Sequence, residues 1–178
     1  KALHRLLAGF RARIRVFDPW LPPGLLQDFG VDPVSLDEVL TQSDVILVVA
    51  SVTSDNGGFL GTAEFLKMRK GASFVLLSRA GAVDFEALMA AVKSGHIRAA
   101  SDVYPEEPLP AGHPVRALEG FVLSAHRAGA MDIAFKQMGK MVLDDMDLMM
   151  RGLPPVICRR AERDAAAAFV HPAEPILR

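Results

Sequence analysis

The chain has 178 residues, a length suited to one domain of ordinary size with a real core. Its 20 basic and 21 acidic residues leave a formal net charge of −1, which excludes the basic footprint of a nucleic-acid or membrane-surface binder. A single cysteine excludes an intramolecular disulfide, and the longest strongly apolar run, residues 45–50, is far too short to span a bilayer.

In chain order, Leu3, Leu6, Leu7 and Phe10 recur at helical spacing, with Gly9 near the end, and predict the closing turns of an amphipathic helix. Arg13, Arg15 and Phe17 alternate with Ile14 and Val16, which predicts a strand over 11–17 with one polar face. Asp18-Pro-Trp-Leu-Pro-Pro breaks that pattern as a loop. Ser35-Leu-Asp-Glu is a helix start, with Ser35 as the cap and Glu38 closing the capping box. Residues 45–50 form a continuous apolar run of the kind found in strands buried on both faces. A polar loop over 51–58, a short helix over 62–68 and a second buried strand over 72–77 follow.

Asp84 opens a helix that runs through Ser94, where Gly95 is placed to end it. Two further strands, 97–104 and 121–123, flank a proline-rich loop over 105–114. Residues 131–150 predict a long helix whose Phe135, Met138, Val142 and Met149 share a face, opposed by Lys136, Lys140, Asp144 and Asp147. The methionine-rich stripe reads as core or subunit packing, and the Asp144, Asp145 and Asp147 group as a solvated face or interface rim. Short strands alternating with helices indicate an α/β fold with a mostly parallel sheet.

Three residues fall just past apolar runs and carry matched chemistry. In an open parallel sheet the strand ends face one crevice, so Arg79, Glu107 and His126 can meet although distant in sequence. The Arg79 guanidinium suits a substrate carboxylate, bound by two parallel hydrogen bonds. His126 is the residue type that moves a proton near neutral pH, and an acid beside it favours the charged imidazole. Spacing alone leaves Glu106 and Glu107 as alternatives for that acid. Asp18, ending the first strand, is placed to accept the ribose hydroxyls of an adenosine, and Asp102, ending its own strand, to accept from a nicotinamide carboxamide. His4, His96, His113 and His171 show no metal-ligand spacing and read as solvated; no metal site is expected.

Taken together these segments resemble the D-isomer-specific 2-hydroxyacid dehydrogenases from Lys1 to about Pro155. The resemblance rests on Val-Phe-Asp-Pro at 16–19, Ser-Leu-Asp-Glu-Val-Leu at 35–40, Ser-Asp-Val-Ile at 43–46 and Met-Arg-Lys-Gly-Ala at 68–72. It continues through 79–84, the stretch from Ser94 to Tyr104, Glu107-Pro-Leu-Pro and His126-Arg-Ala-Gly. It implies a Rossmann-type, doubly wound parallel sheet, NAD as cofactor, and interconversion of a 2-oxo acid and a D-2-hydroxy acid. Arg79 would orient the acid and His126 would be the general acid/base. The acid before Pro-Leu-Pro, Glu107, would be its partner. Asp18, Ala50, Ser51, Asn56, Leu77, Ser78, Asp102 and Gly129 would line the cofactor. A cytoplasmic homodimer formed through the NAD-binding domain is the corresponding expectation.

Four positions depart from the family pattern. Arg79-Ala80 stands for Arg-Gly, Val49-Ala50-Ser51 for His-x-Pro, Ala125 for proline, and Arg127 for an apolar residue. Arg127 either adds a second charge for an anion or faces a subunit partner. Counting back from Asp18, the third glycine of the family's phosphate loop falls immediately before Lys1. The expectation is therefore a truncated NAD-binding domain over 1–151, lacking its first strand and glycine-rich loop, with the tail 152–178 returning toward a substrate domain. Such a chain alone is expected to bind NAD poorly, to turn over nothing, and to expose apolar strand flanks. The competing class is a non-catalytic NAD-binding or dimerisation module, a pseudoenzyme or corepressor-like protein. The presence of Arg79, Glu107 and His126 together speaks against it, because a scaffold has no physical need for all three.

Overall fold

The computed structural model describes residues 2–50 and 57–158. Helix α1 (Ala2–Leu7) leads to β1 (Arg15–Val16), and α2 (Pro23–Asp28) carries the chain to β2 (Asp32–Pro33), which pairs parallel with β1. Next, α3 (Leu36–Gln42) delivers it to β3 (Val45–Val48). Then α4 (Thr62–Lys67) links β3 to β4 (Ser73–Leu76), and α5 (Phe85–Lys93) links β4 to β5 (Arg98–Ser101). Strand β6 (Phe121–Leu123) completes a four-stranded, wholly parallel sheet in the order β3-β4-β5-β6, and α6 (Asp132–Met150) follows.

Local chemistry explains most of the boundaries. Ser35 Oγ accepts from Glu38 N while the Glu38 carboxylate accepts from Ser35 N, which closes the expected capping box. Asp84 accepts from Ala87 N at the start of α5, and Gly95 supplies the positive φ (72°) just past its end. Helix α2 and strand β2 were not legible as elements. Pro22-Pro23 reads as a breaker, yet Pro23 occupies the first helical turn, where its missing N–H costs nothing. The strand expected over 11–17 shrinks to two residues, since among the described residues its pairing is confined to Arg15 opposite Asp32 and Val16 opposite Pro33, with the Ile14 and Val16 carbonyls accepting from the amides of Asp32 and Val34.

The core lies between the sheet and helices α3 to α5. Ile46, Val48, Phe74, Leu76 and Ala99 are buried on that face, and Phe65 meets Phe74 edge-on at 5.2 Å. The alternate residues tell a different story: Val45 is 55% exposed and Val122 68%. Thus the apolar run from residue 45 is not buried on both faces; helices cover one face only among the described residues.

Phe135, Met138, Val142 and Met149 on α6 are all about half exposed, so of the two alternatives for that stripe the structure excludes core and leaves subunit packing. The reading of the acidic group needs correction. Asp145 is neither solvated nor on a rim. It is 3% exposed, and its carboxylate accepts from the amides of Val156, Ile157 and Cys158, folding the turn after the helix back upon it. Those amides, led by Cys158 and Val156, outweigh the cost of burial and hold its carboxyl at about 2. Among the described residues, no helix is long and apolar enough to cross a membrane, and no cluster of His, Cys, Asp and Glu has the geometry to hold a metal.

Candidate functional site

Because β3 to β6 are parallel, their C-terminal ends share one edge. Arg79 and His126 each lie three residues beyond β4 and β6, and Asp102 follows directly on β5 between them. With neighbouring strands spaced about 4.8 Å apart, the ends of β4 and β6 are separated by roughly 10 Å, within the span of one small ligand and two long side chains. Topology therefore brings arginine and histidine to the same edge of the sheet.

The decisive contact is between Glu107 and His126. His126 Nδ1 lies 2.6 Å from Glu107 Oε2, with the two side chains 45% and 34% exposed. The contact selects Glu107 over Glu106. Engaging Nδ1 leaves Nε2 as the ring nitrogen that can exchange a proton with a ligand. His126 also has φ of 53°, a left-handed conformation unusual for a residue with a Cβ.

Asp102 accounts for how that conformation is held. It is 2% exposed, and its two carboxylate oxygens accept from the amides of Arg127 and Ala128, each at 2.8 Å. Burial opposes ionisation here, but the Ser124 hydroxyl, those two amides and the His126 charge prevail, keeping the carboxyl below its ordinary range. The sequence reading gave Asp102 to a nicotinamide carboxamide. In the structure its oxygens are engaged within the chain, and what it grips is the turn after His126.

Arg79 is exposed, and its guanidinium donates to the Ser78 carbonyl at 2.8 Å. Beside the Glu107–His126 pair lies a cavity of about 580 Å³ lined by Tyr104, Leu109, Arg116 and Leu123. Two of these liners escaped the sequence reading. Arg116 donates to the carbonyls of Leu109 and Pro110, stapling the loop that carries Glu107. Tyr104 donates through its amide to Glu107 Oε1 and through its hydroxyl to backbone carbonyls. A tyrosine closing a buried strand signals such a role, since its hydroxyl must find a partner.

On the cofactor side, Asp18 Oδ1 accepts from the amides of Trp20 and Leu21, at the wall of a second cavity of about 330 Å³ shared with Leu26, Ser35 and Glu38. Ala50 is half-buried beyond β3, Leu77 is bonded to the Val48 carbonyl, and Gly129 is exposed with open space where a Cβ would stand. Ser51 and Asn56 lie outside the described residues. The buried Ser78 hydroxyl lacks a partner among the described residues, at the very strand end where a nucleotide would lie. These groups fit a dinucleotide: Asp18 for a ribose and Ser78 as a polar contact left open among the described residues.

Comparisons with known proteins give the family. The family model described as D-isomer specific 2-hydroxyacid dehydrogenase, NAD binding domain, matches residues 1–128. The chain belongs to this family. NAD is the cofactor of this domain. The solved phosphoglycerate oxidoreductase from Rhizobium etli superposes with a TM-score of 0.81 at 70% identity, over 91% of this chain and 49% of that one. The D-3-phosphoglycerate dehydrogenase of Archaeoglobus fulgidus is 34% identical over 79% of this chain and 27% of its own. The glyoxylate reductase of Korarchaeum cryptofilum is 32% identical over 86% of this chain and 47% of its own. The chain thus spans about half the length, or less, of these relatives.

Proposed function

We propose that this dehydrogenase segment carries the proton-transfer and cofactor half of an enzyme that interconverts a small 2-oxo acid and its D-2-hydroxy acid. The observation that carries the reading is the 2.6 Å contact of His126 with Glu107 at the sheet edge that also bears Arg79. NADH, when bound, supplies the hydride to the carbonyl carbon. Arg79 holds the substrate carboxylate and so fixes the reacting carbon in the crevice. Protonated His126 gives its Nε2 proton to the carbonyl oxygen as that oxygen gains charge, and takes it back in the oxidising direction. Glu107 keeps the imidazole oriented through Nδ1. Asp18, Ala50, Ser51, Asn56, Leu77, Ser78 and Gly129 are the residues we assign to the cofactor wall, while Asp102 supports the site through the turn after His126. The names of the relatives favour short acids such as glyoxylate or a phosphorylated three-carbon acid. The exposed apolar side chains of α6 support the homodimer expected of the family.

The test is a chimaera in which residues 1–158 replace the matching half of the Rhizobium etli relative, assayed by NADH oxidation against a panel of 2-oxo acids. Turnover is expected, with a loss of about 10²- to 10⁴-fold in His126→Ala. A comparable loss in Arg79→Ala is expected from removing a substrate anchor. Near-normal rates in both variants would remove the mechanism.

A further inference from the structure

Tyr104 joins the two members of the Glu107–His126 pair, although no step of the reaction uses it. The side chain is 7% exposed, and its ring packs edge-on against Phe85 at 6.0 Å. Its amide donates to Glu107 Oε1 at 2.8 Å, leaving Oε2 for His126. Its hydroxyl lies 2.8 Å from the Ser124 carbonyl and 2.9 Å from the Ser101 carbonyl, so one phenol proton serves two acceptors. Burial, first among the influences on it, pushes the phenol up, so it stays a donor at neutral pH. One residue therefore holds the carboxylate through its main chain and, through its side chain, the carbonyl two residues before the histidine.

We propose that Tyr104 is a positioning residue: its hydroxyl ties the Ser124 carbonyl to the end of β5, and this tie sets how closely the His126 imidazole approaches Glu107. The bland reading is a buried tyrosine that only satisfies its own hydroxyl. The proposal rests on His126 and Glu107 being the proton-handling pair, yet the geometry it concerns can be measured whatever the reaction.

The experiment is proton NMR of the full 178-residue chain, following the His126 Nδ1 proton, which a short bond to a carboxylate moves far downfield and protects from exchange. Its loss in Glu107→Gln assigns it. In Tyr104→Phe, which keeps the ring against Phe85, the resonance is expected to move upfield and to broaden into exchange while amide dispersion is retained. Because the chain has one tyrosine, global 3-fluorotyrosine incorporation alters this site alone. The stronger phenol donor should shift the same resonance without loss of fold, and this arm decides if the phenylalanine variant does not fold. A resonance unchanged in both arms, or absent from the unsubstituted chain, would overturn the proposal. An inactive chimaera with the resonance intact would instead end the dehydrogenase reading and leave the positioning role standing.

Discussion

At the end of β6, His126 is fixed by Glu107, by the Asp102 grip on the two following amides, and by a tyrosine linking both neighbours. At the end of β1, Asp18 holds only the two amides that follow it. The difference continues below the surface. Every residue of the main core cluster lies between Leu40 and Phe121, whereas the segment before α3 contributes only Leu26 and Val31 to the buried apolar set. The Glu107–His126 contact, which we propose handles the proton, thus adjoins the most densely buried part of the described residues, and Asp18, proposed for the ribose, follows a two-residue ladder with little beneath it. A general acid tolerates small errors of placement poorly, whereas a ribose contact can re-form as the ligand enters.

Substitutions in the two regions should separate them. Phe74→Ala, in a fully buried position facing Phe65, is expected to cost about 3–5 kcal/mol in denaturant unfolding and to destabilise β3 to β6 together. Leu26→Ala should cost less, roughly 2 kcal/mol, and should speed amide exchange around β1 and β2 while protection in β4 and β5 is unchanged. Equal loss of protection across both sheets would show that the comparison is wrong and the chain unfolds as one unit.

The turn after α6 offers a pH-dependent contrast. Asp145 has its carboxyl lowered from 3.8 to about 2, so its hold on residues 156–158 is complete above about pH 4 and is lost as pH falls through about 2. The single cysteine, Cys158, reports this directly. Asp145→Asn should make its thiol react faster with a disulfide reagent at neutral pH, and an unchanged rate would remove the role given to Asp145. The smallest effect should come from the exposed Arg13–Asp32 pair across β1 and β2: Arg13→Ala is expected to change stability by less than about 1 kcal/mol.

The fold and the main site were legible from sequence for identifiable reasons. Apolar runs ended at Arg79, Asp102 and His126, and a parallel sheet sends such endings to one edge. Glu107 needed the resemblance, because two adjacent acids cannot be separated by spacing. What stayed hidden were partnerships made by backbone groups. Asp145 looked solvated because its helix neighbours Asp144 and Asp147 are, pairing with Lys140 and Arg151 on the surface. The Arg116 staple involves only main-chain acceptors, which leave no trace in side-chain pattern. His113 read as solvated, but its ring caps the amide of Val115 and packs on Phe85.

In the proposed reaction Glu107 and His126 act as one unit. A double-mutant cycle in the chimaera, measuring kcat/KM for 2-oxo acid reduction with Glu107→Gln, His126→Ala and the pair combined, tests it most directly. The double variant should be no slower than His126→Ala alone, because the glutamate has no function once its imidazole is gone. Losses that multiply independently would contradict the account.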